Sequence, residues 1–145
     1  MAPRIISADS HIAEPEEAYA DIDPAFRDRA PYLVDDPEAG AGMVVDGLPT
    51  PVPMSFILAA GRKPEDIGKP DLWETLNPAG YDPKARLGIL DEEGIDAEVI
   101  FPSVGMILCR VKDLDYRKAC NDAYNRWLEG FCETAPERYL GLYTA

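Results

Sequence analysis

The chain has 145 residues, 46% hydrophobic and 28% charged, which reads as one soluble globular domain rather than a disordered or fibrous chain. Fourteen Lys and Arg against 27 Asp and Glu leave a net charge of −13. That balance argues against nucleic acid and anionic membranes, which need clustered basic groups.

The first predicted element is a short strand over residues 4–8. It leads directly into Asp9-Ser10-His11, which holds the only histidine of the chain. Residues 13–80 are rich in Pro and Gly and read as a long, irregular insert. Within it, Pro15 opens a short helix, and Asp23 caps another that begins at Pro24. Asp46-Gly47 is a strong turn signal, so residues 43–53 are expected to form a small hairpin whose prolines keep its second arm at an edge. Segment 61–80 is predicted as loop, of a length that suits covering a mouth or meeting a second subunit. Asp82-Pro83 then starts a helix carrying Leu87 and Leu90, and Gly94 is its stop. Residues 97–102 form a strand ended by Pro102. Val104 to Arg110 is either loop or a short helical turn. Tyr116, Ala119, Cys120, Ala123, Tyr124, Trp127, Leu128 and Phe131 repeat at three and four, the spacing of an amphipathic helix, capped by Asp113 or Asp115. Residues 139–145 read as a last strand.

Strands alternating with helices imply an α/β fold with a parallel sheet and right-handed crossovers. Three strands are too few for a closed eight-stranded barrel, which takes about 250 residues. A parallel sheet ending in a bare strand needs cover. The chain is therefore expected to be part of something larger or to complete its sheet by association.

The cysteines, Cys109, Cys120 and Cys132, are odd in number and form no C-x-x-C, so neither a disulfide framework nor a zinc cluster is indicated. A reducing cytoplasm is the simplest compartment. The head of the chain, from Met1 to Arg4, is followed by too few apolar residues for a leader sequence. The longest apolar runs fall far short of a membrane span.

Asp9 and His11 are one residue apart, so on a strand their side chains project to the same side. A carboxylate oxygen and an imidazole nitrogen at one strand end form half of a divalent-metal site. The alternative reading is a surface Asp and a His that caps a turn. Glu14, just before Pro15, is either an acceptor behind such a site or a solvated turn residue.

Three segments together resemble one known family. They are Asp9-Ser10-His11-Ile12-Ala13-Glu14-Pro15, the run from Gly80-Tyr81-Asp82-Pro83 through Glu92-Glu93-Gly94-Ile95-Asp96-Ala97-Glu98-Val99 to Pro102, and Asn121 to Leu128 followed by Pro136 to Gly141. In this order they are similar to the N-terminal portion of the amidohydrolase-related (amidohydrolase 2) family. The resemblance implies a partial (β/α)8 TIM-like barrel, about its first three strands, with a long insert after strand one. It implies one divalent metal ion, with Zn favoured over Mn or Mg, held in part by Asp9 and His11. It also implies a small-molecule substrate, either hydrolysed at a C–N or C–O bond or decarboxylated. The family draws further His and Asp ligands from later strands. This chain has no second histidine, so it is expected to be inactive by itself, with a second copy or a second chain supplying the rest.

Other polar residues carry weaker signals. Ser103 follows a strand but has no adjacent base to activate it. One neighbouring charge, Arg110, does not make Cys109 a reactive thiol. Arg110 and Lys112 suit an anionic substrate, but read more simply as surface charges. Asp91, Glu92 and Glu93 sit at a helix end and are expected to be solvated. A second class of function, a non-catalytic α/β module that self-associates through its open sheet edge, is compatible with the same pattern.

Overall fold

A computed structural model describes residues 4–145; the first three residues of the segment read as lacking a leader lie outside them. The strands and α-helices, in chain order, are β1 (Ile6–His11), β2 (Tyr32–Asp36), β3 (Gly40–Val44), β4 (Val52–Pro53), α1 (Met54–Ile57), α2 (Pro83–Glu93), β5 (Ala97–Phe101), α3 (Val104–Ile107), α4 (Leu114–Glu133) and β6 (Tyr139–Gly141). They form a mixed α/β structure with two sheets. One is parallel in the order β1-β5-β6, and the other is antiparallel in the order β2-β3-β4.

The helices start and stop where local chemistry demands. Asp82 accepts the Ala85 N–H at 2.7 Å and Pro83 occupies the first helical position of α2. Gly94 ends α2 at φ +68°, a left-handed conformation that glycine adopts without a Cβ penalty. Asp113, rather than Asp115, caps α4 by accepting the Tyr116 N–H at 3.1 Å. The apolar stripe of α4 buries Tyr116, Ala119, Cys120, Ala123, Tyr124, Leu128 and Phe131 against the sheet and the insert. Trp127 stays partly exposed at the edge of that core.

The insert is more ordered than its composition suggests. Residues 13–80 contain the whole antiparallel sheet. Its β3–β4 pairing brings Met43 opposite Val52, within the expected hairpin, and Gly42, one residue before it, opposite Pro53. The tighter hairpin is β2–β3, which the sequence reading missed. Its turn is made by Asp36, whose side chain accepts the Glu38 and Ala39 N–H groups at 2.8 Å each. Gly40 follows at φ +80°, against the backbone of Asp71, where no side chain fits. Arg29 reaches Asp113 at 2.9 Å and also pairs with Asp46, tying the insert to the cap of α4.

Two strand boundaries differ from the sequence expectation. β1 runs to His11 instead of stopping at residue 8, because parallel pairing with β5 continues to the match of His11 with Phe101. β6 covers only Tyr139 to Gly141. Beyond it, Asn125 of α4 donates to the Thr144 carbonyl at 2.8 Å and accepts the Thr144 N–H at 2.9 Å, drawing the chain away from the ladder.

The parallel sheet has one covered face. There Glu98, Ile100 and Tyr139 are buried under α2 and α4. Glu98 carries a charge into this face and meets Arg86 of α2 through two bonds, one of them 3.0 Å from Nη2. Both side chains are almost fully enclosed, 11% and 3% exposed. Removing one member of such a pair leaves an uncompensated buried charge. Arg86→Met is therefore expected to destabilise the chain by about 3–5 kcal/mol in urea unfolding. The double variant Arg86→Met/Glu98→Leu should recover most of that loss. Equal stability of the single variant and the parent would exclude this role for the pair.

Candidate functional site

Between the matched pairs Ser7–Glu98 and Ser10–Ile100, two residues of β1, Ala8 and Asp9, lie opposite only one of β5, Val99. The extra residue is a bulge at Ala8 and Asp9, a device that re-aims side chains at a strand end. It brings Ser7 and Ser10 to one side of the strand, with their hydroxyls 2.8 Å apart. Asp9 and His11 emerge together on the other side, the open face of the sheet.

His11 Nε2 lies 3.4 Å from Asp9 Oδ1. The His11 ring stacks on Phe101 of β5, with centroids 5.7 Å apart. Its Nδ1 lies 3.2 Å from the Pro102 carbonyl oxygen. A carbonyl can only accept, so Nδ1 carries the proton in this contact. The Asp9 side chain is 82% exposed and that of His11 39%, so the pair opens onto solvent.

The separation of 3.4 Å is too long for a good N–H···O bond. Two ligands at about 2.0–2.1 Å from an ion in tetrahedral geometry stand roughly 3.3–3.4 Å apart, so the pair fits that geometry. An octahedral ion with bonds of about 2.0–2.1 Å would bring neighbouring ligands to roughly 2.9 Å. The donor set, one imidazole and one carboxylate, suits zinc. Among the described residues, however, no cluster of three His, Cys, Asp or Glu side chains stands ready to hold a metal ion.

Glu14 is the most constrained polar residue of this end of the sheet. It is completely buried, not a solvated turn residue. Its two carboxylate oxygens accept from Ser103 N at 3.0 and 3.2 Å, Val104 N at 2.9 Å and Gly105 N at 2.8 Å. Burial pushes its carboxyl up from the ordinary value, and the backbone N–H bonds pull against that shift. Every one of these partners is a donor, as an ionised carboxylate requires and a protonated acid does not. Burial, and after it the charge of Glu14, pushes the phenols of Tyr19 and Tyr124 far up.

The remaining candidates stand apart from this pair. Ser103 is buried in the turn and contributes its backbone N–H. Cys109, Arg110 and Lys112 are exposed beyond α3, Cys120 is buried in α4 and Cys132 is half-buried. Burial raises the Cys120 thiol to about 11, the opposite of an activated nucleophile. Asp91, Glu92 and Glu93 are exposed, and Asp91 pairs with Arg138 at 2.9 Å. Pro102, through its carbonyl, and Gly105 were not singled out from sequence. The strand-ending position of Pro102 was the available signal.

A cavity of about 330 Å³ runs beside β1, bordered by Ser7, Ser10, His11, Leu58, Gly80 and Arg86. A larger groove of about 630 Å³, bordered by Glu16, Tyr19, Tyr32 and Trp73, includes neither Asp9 nor His11. No helix of the described residues is long and apolar enough to cross a membrane.

Comparison with protein-family models and with curated proteins returns no match. Among solved structures, the fold is similar to that of an amidohydrolase from Mycobacterium avium subsp. paratuberculosis, at a TM-score of 0.67 and 21% identity. The match covers 99% of this chain and 42% of that one, so the chain spans less than half the length of the structure it resembles. The likeness is one of fold.

Gly105 is closely packed at this end of the sheet. A Cβ there would stand 2.8 Å from the Pro102 ring and 3.4 Å from Glu14 Oε1. Gly105→Ala is expected to cost about 1–3 kcal/mol in denaturant unfolding, the usual range for overpacking. A fully tolerated alanine would show that the turn is looser than described.

Proposed function

We propose that this chain is the opening portion of a metal-dependent enzyme of the amidohydrolase type. Its three parallel strands are the first three of a (β/α)8 barrel, and Asp9 and His11 are two ligands of one divalent ion. The observation that carries the reading is the pairing of Asp9 Oδ1 with His11 Nε2 at 3.4 Å, on a ring whose other nitrogen is engaged by a carbonyl. The fold likeness to an amidohydrolase supports it. Zinc is the ion that best suits the spacing and the donors, ahead of manganese and magnesium.

Bound by Asp9 and His11, such an ion would supply Lewis-acid polarisation of a carbonyl or carboxylate and activation of water. The chain's own contribution is to aim the two ligands. The β1 bulge turns Asp9 outward, Phe101 supports one face of the imidazole, and the Pro102 carbonyl holds its Nδ1 proton. A catalytic zinc takes three protein ligands, so this reading places at least one further ligand outside these residues. The substrate class is a small molecule, hydrolysed at a C–N or C–O bond or decarboxylated. The reading includes no nucleic-acid or membrane partner. The unpaired thiols support a cytoplasmic setting.

A second reading rests on the open face and edge of the parallel sheet. Ile5, Ile6, Leu140 and Tyr143 are each about half exposed or more there. These residues favour a module that self-associates without chemistry.

Elemental mass spectrometry of the purified chain tests the first reading. With only two ligands in these residues, weak uptake of zinc is expected when the chain is titrated with it, and loss of that uptake in Asp9→Ala/His11→Ala. A parent chain that takes up no zinc when titrated with it would refute that assignment. Sedimentation velocity tests the second reading, which requires a dimer or larger species that persists in the double variant and dissociates in Leu140→Lys/Tyr143→Lys. A strictly monomeric parent would rule it out.

A further inference from the structure

Glu14 and His11 do not touch, yet one peptide group joins them. The Ser103 N–H, bound by Glu14 at 3.0 and 3.2 Å, and the Pro102 carbonyl, 3.2 Å from His11 Nδ1, belong to the same peptide unit. A donor on its N–H side is therefore fixed by the buried carboxylate, and an acceptor on its C=O side faces the ring. We infer that Glu14 is a positioning residue that acts on the tautomer of His11 through the Pro102–Ser103 peptide, holding the proton on Nδ1 against the Asp9 carboxylate, whose Oδ1 lies 3.4 Å from Nε2 and favours the proton there.

The physical grounds are geometric. A carboxylate on the N–H of a peptide draws electron density toward the carbonyl oxygen, and chains of hydrogen bonds strengthen one another by roughly 10–30% per bond. The peptide has no freedom to turn away. The next two N–H groups, of Val104 and Gly105, are bound to the same carboxylate. Pro102 is packed under Gly105 so closely that a Cβ at that position would meet its ring at 2.8 Å. On the other side, Ile12 N–H bonds to the Phe101 carbonyl at 3.0 Å, which fixes the strand end carrying the ring. Direct carboxylate–imidazole pairs are the usual means of orienting a histidine ligand. Here the carboxylate acts one peptide away, which lets it stay fully buried while the ring remains at the surface.

This inference rests on the reading of His11 as a ligand only for its purpose, and its test does not need a metal ion. The chain is prepared metal-free and labelled with ¹⁵N and ¹³C, at a pH well above the ordinary histidine midpoint so that the ring is neutral. Because His11 is the only histidine, its two ring nitrogens give one unambiguous set of long-range ¹H–¹⁵N signals. The expected result is a predominant Nδ1–H form in the parent. In Glu14→Gln, where an amide N–H₂ replaces one acceptor oxygen, the ratio of Nδ1–H to Nε2–H forms should fall by about fivefold or more. A predominant Nε2–H form in the parent overturns the inference, as does an unchanged ratio in a Glu14→Gln chain that keeps the parent's amide spectrum.

If Glu14→Gln does not fold, the parent decides. Couplings across the hydrogen bonds from His11 Nδ1 to the Pro102 carbonyl carbon, and from Ser103 N to the Glu14 carboxyl carbon, are both expected. The absence of either overturns the inference. Failure of zinc uptake with the Nδ1–H form intact would refute the metal assignment alone.

Discussion

A carboxylate taken out of water costs several kcal/mol unless its lone pairs are met. Glu14 satisfies that condition with the backbone N–H groups of Ser103, Val104 and Gly105. Those groups begin α3 and have no partner inside the helix, so each side answers a deficit of the other. The contact bridges about ninety positions of sequence and pins the exit of β1 to the exit of β5. The placement of Pro102, the space reserved by Gly105 and the support of His11 by Phe101 all follow from it.

The second buried charge, Glu98 with Arg86, plays the matching part on the covered face. It joins the middle of β5 to α2, while Tyr139 of β6 donates its hydroxyl to the Pro83 carbonyl at 2.6 Å. Together with the α4 stripe, these bonds clamp one face of a short parallel sheet. The opposite face stays open and mixes apolar side chains with Asp9 and His11. A parallel sheet is ordinarily covered on both faces. The open face is thus the place where the two candidate ligands stand, beside exposed apolar side chains such as Leu140. The two functional readings draw on the same surface for that reason.

Legibility in the sequence followed the range of the interaction concerned. The start and stop of α2, the apolar stripe of α4 and the cap at Asp23, which accepts the Ala25 N–H at 2.8 Å, rest on contacts within one or two helical turns, and all were read from local pattern; the choice of Asp113 over Asp115 as the cap of α4 was not. The pairing of Asp9 with His11 on one side of the strand was also visible, because alternation along a strand is local. The β2–β3 hairpin was missed because its turn depends on the Asp36 side chain and on Gly40 passing the backbone of Asp71. The ends of β1 and β6 were misplaced because a partner strand extends the first and Asn125 pulls the chain from the second. Glu14 could be flagged by its place after His11, but its burial could not.

What the sequence alone determined is the α/β order, the start and stop of α2 and the apolar stripe of α4, each set by local pattern along the chain. The tertiary structure alone decided that the strand bulges at Ala8 and Asp9, that Glu14 is enclosed on three N–H groups, and that the Pro102 carbonyl faces His11. Those features join residues some ninety positions apart. Burial and hydrogen-bond partners at that range come into being only when the strands pair.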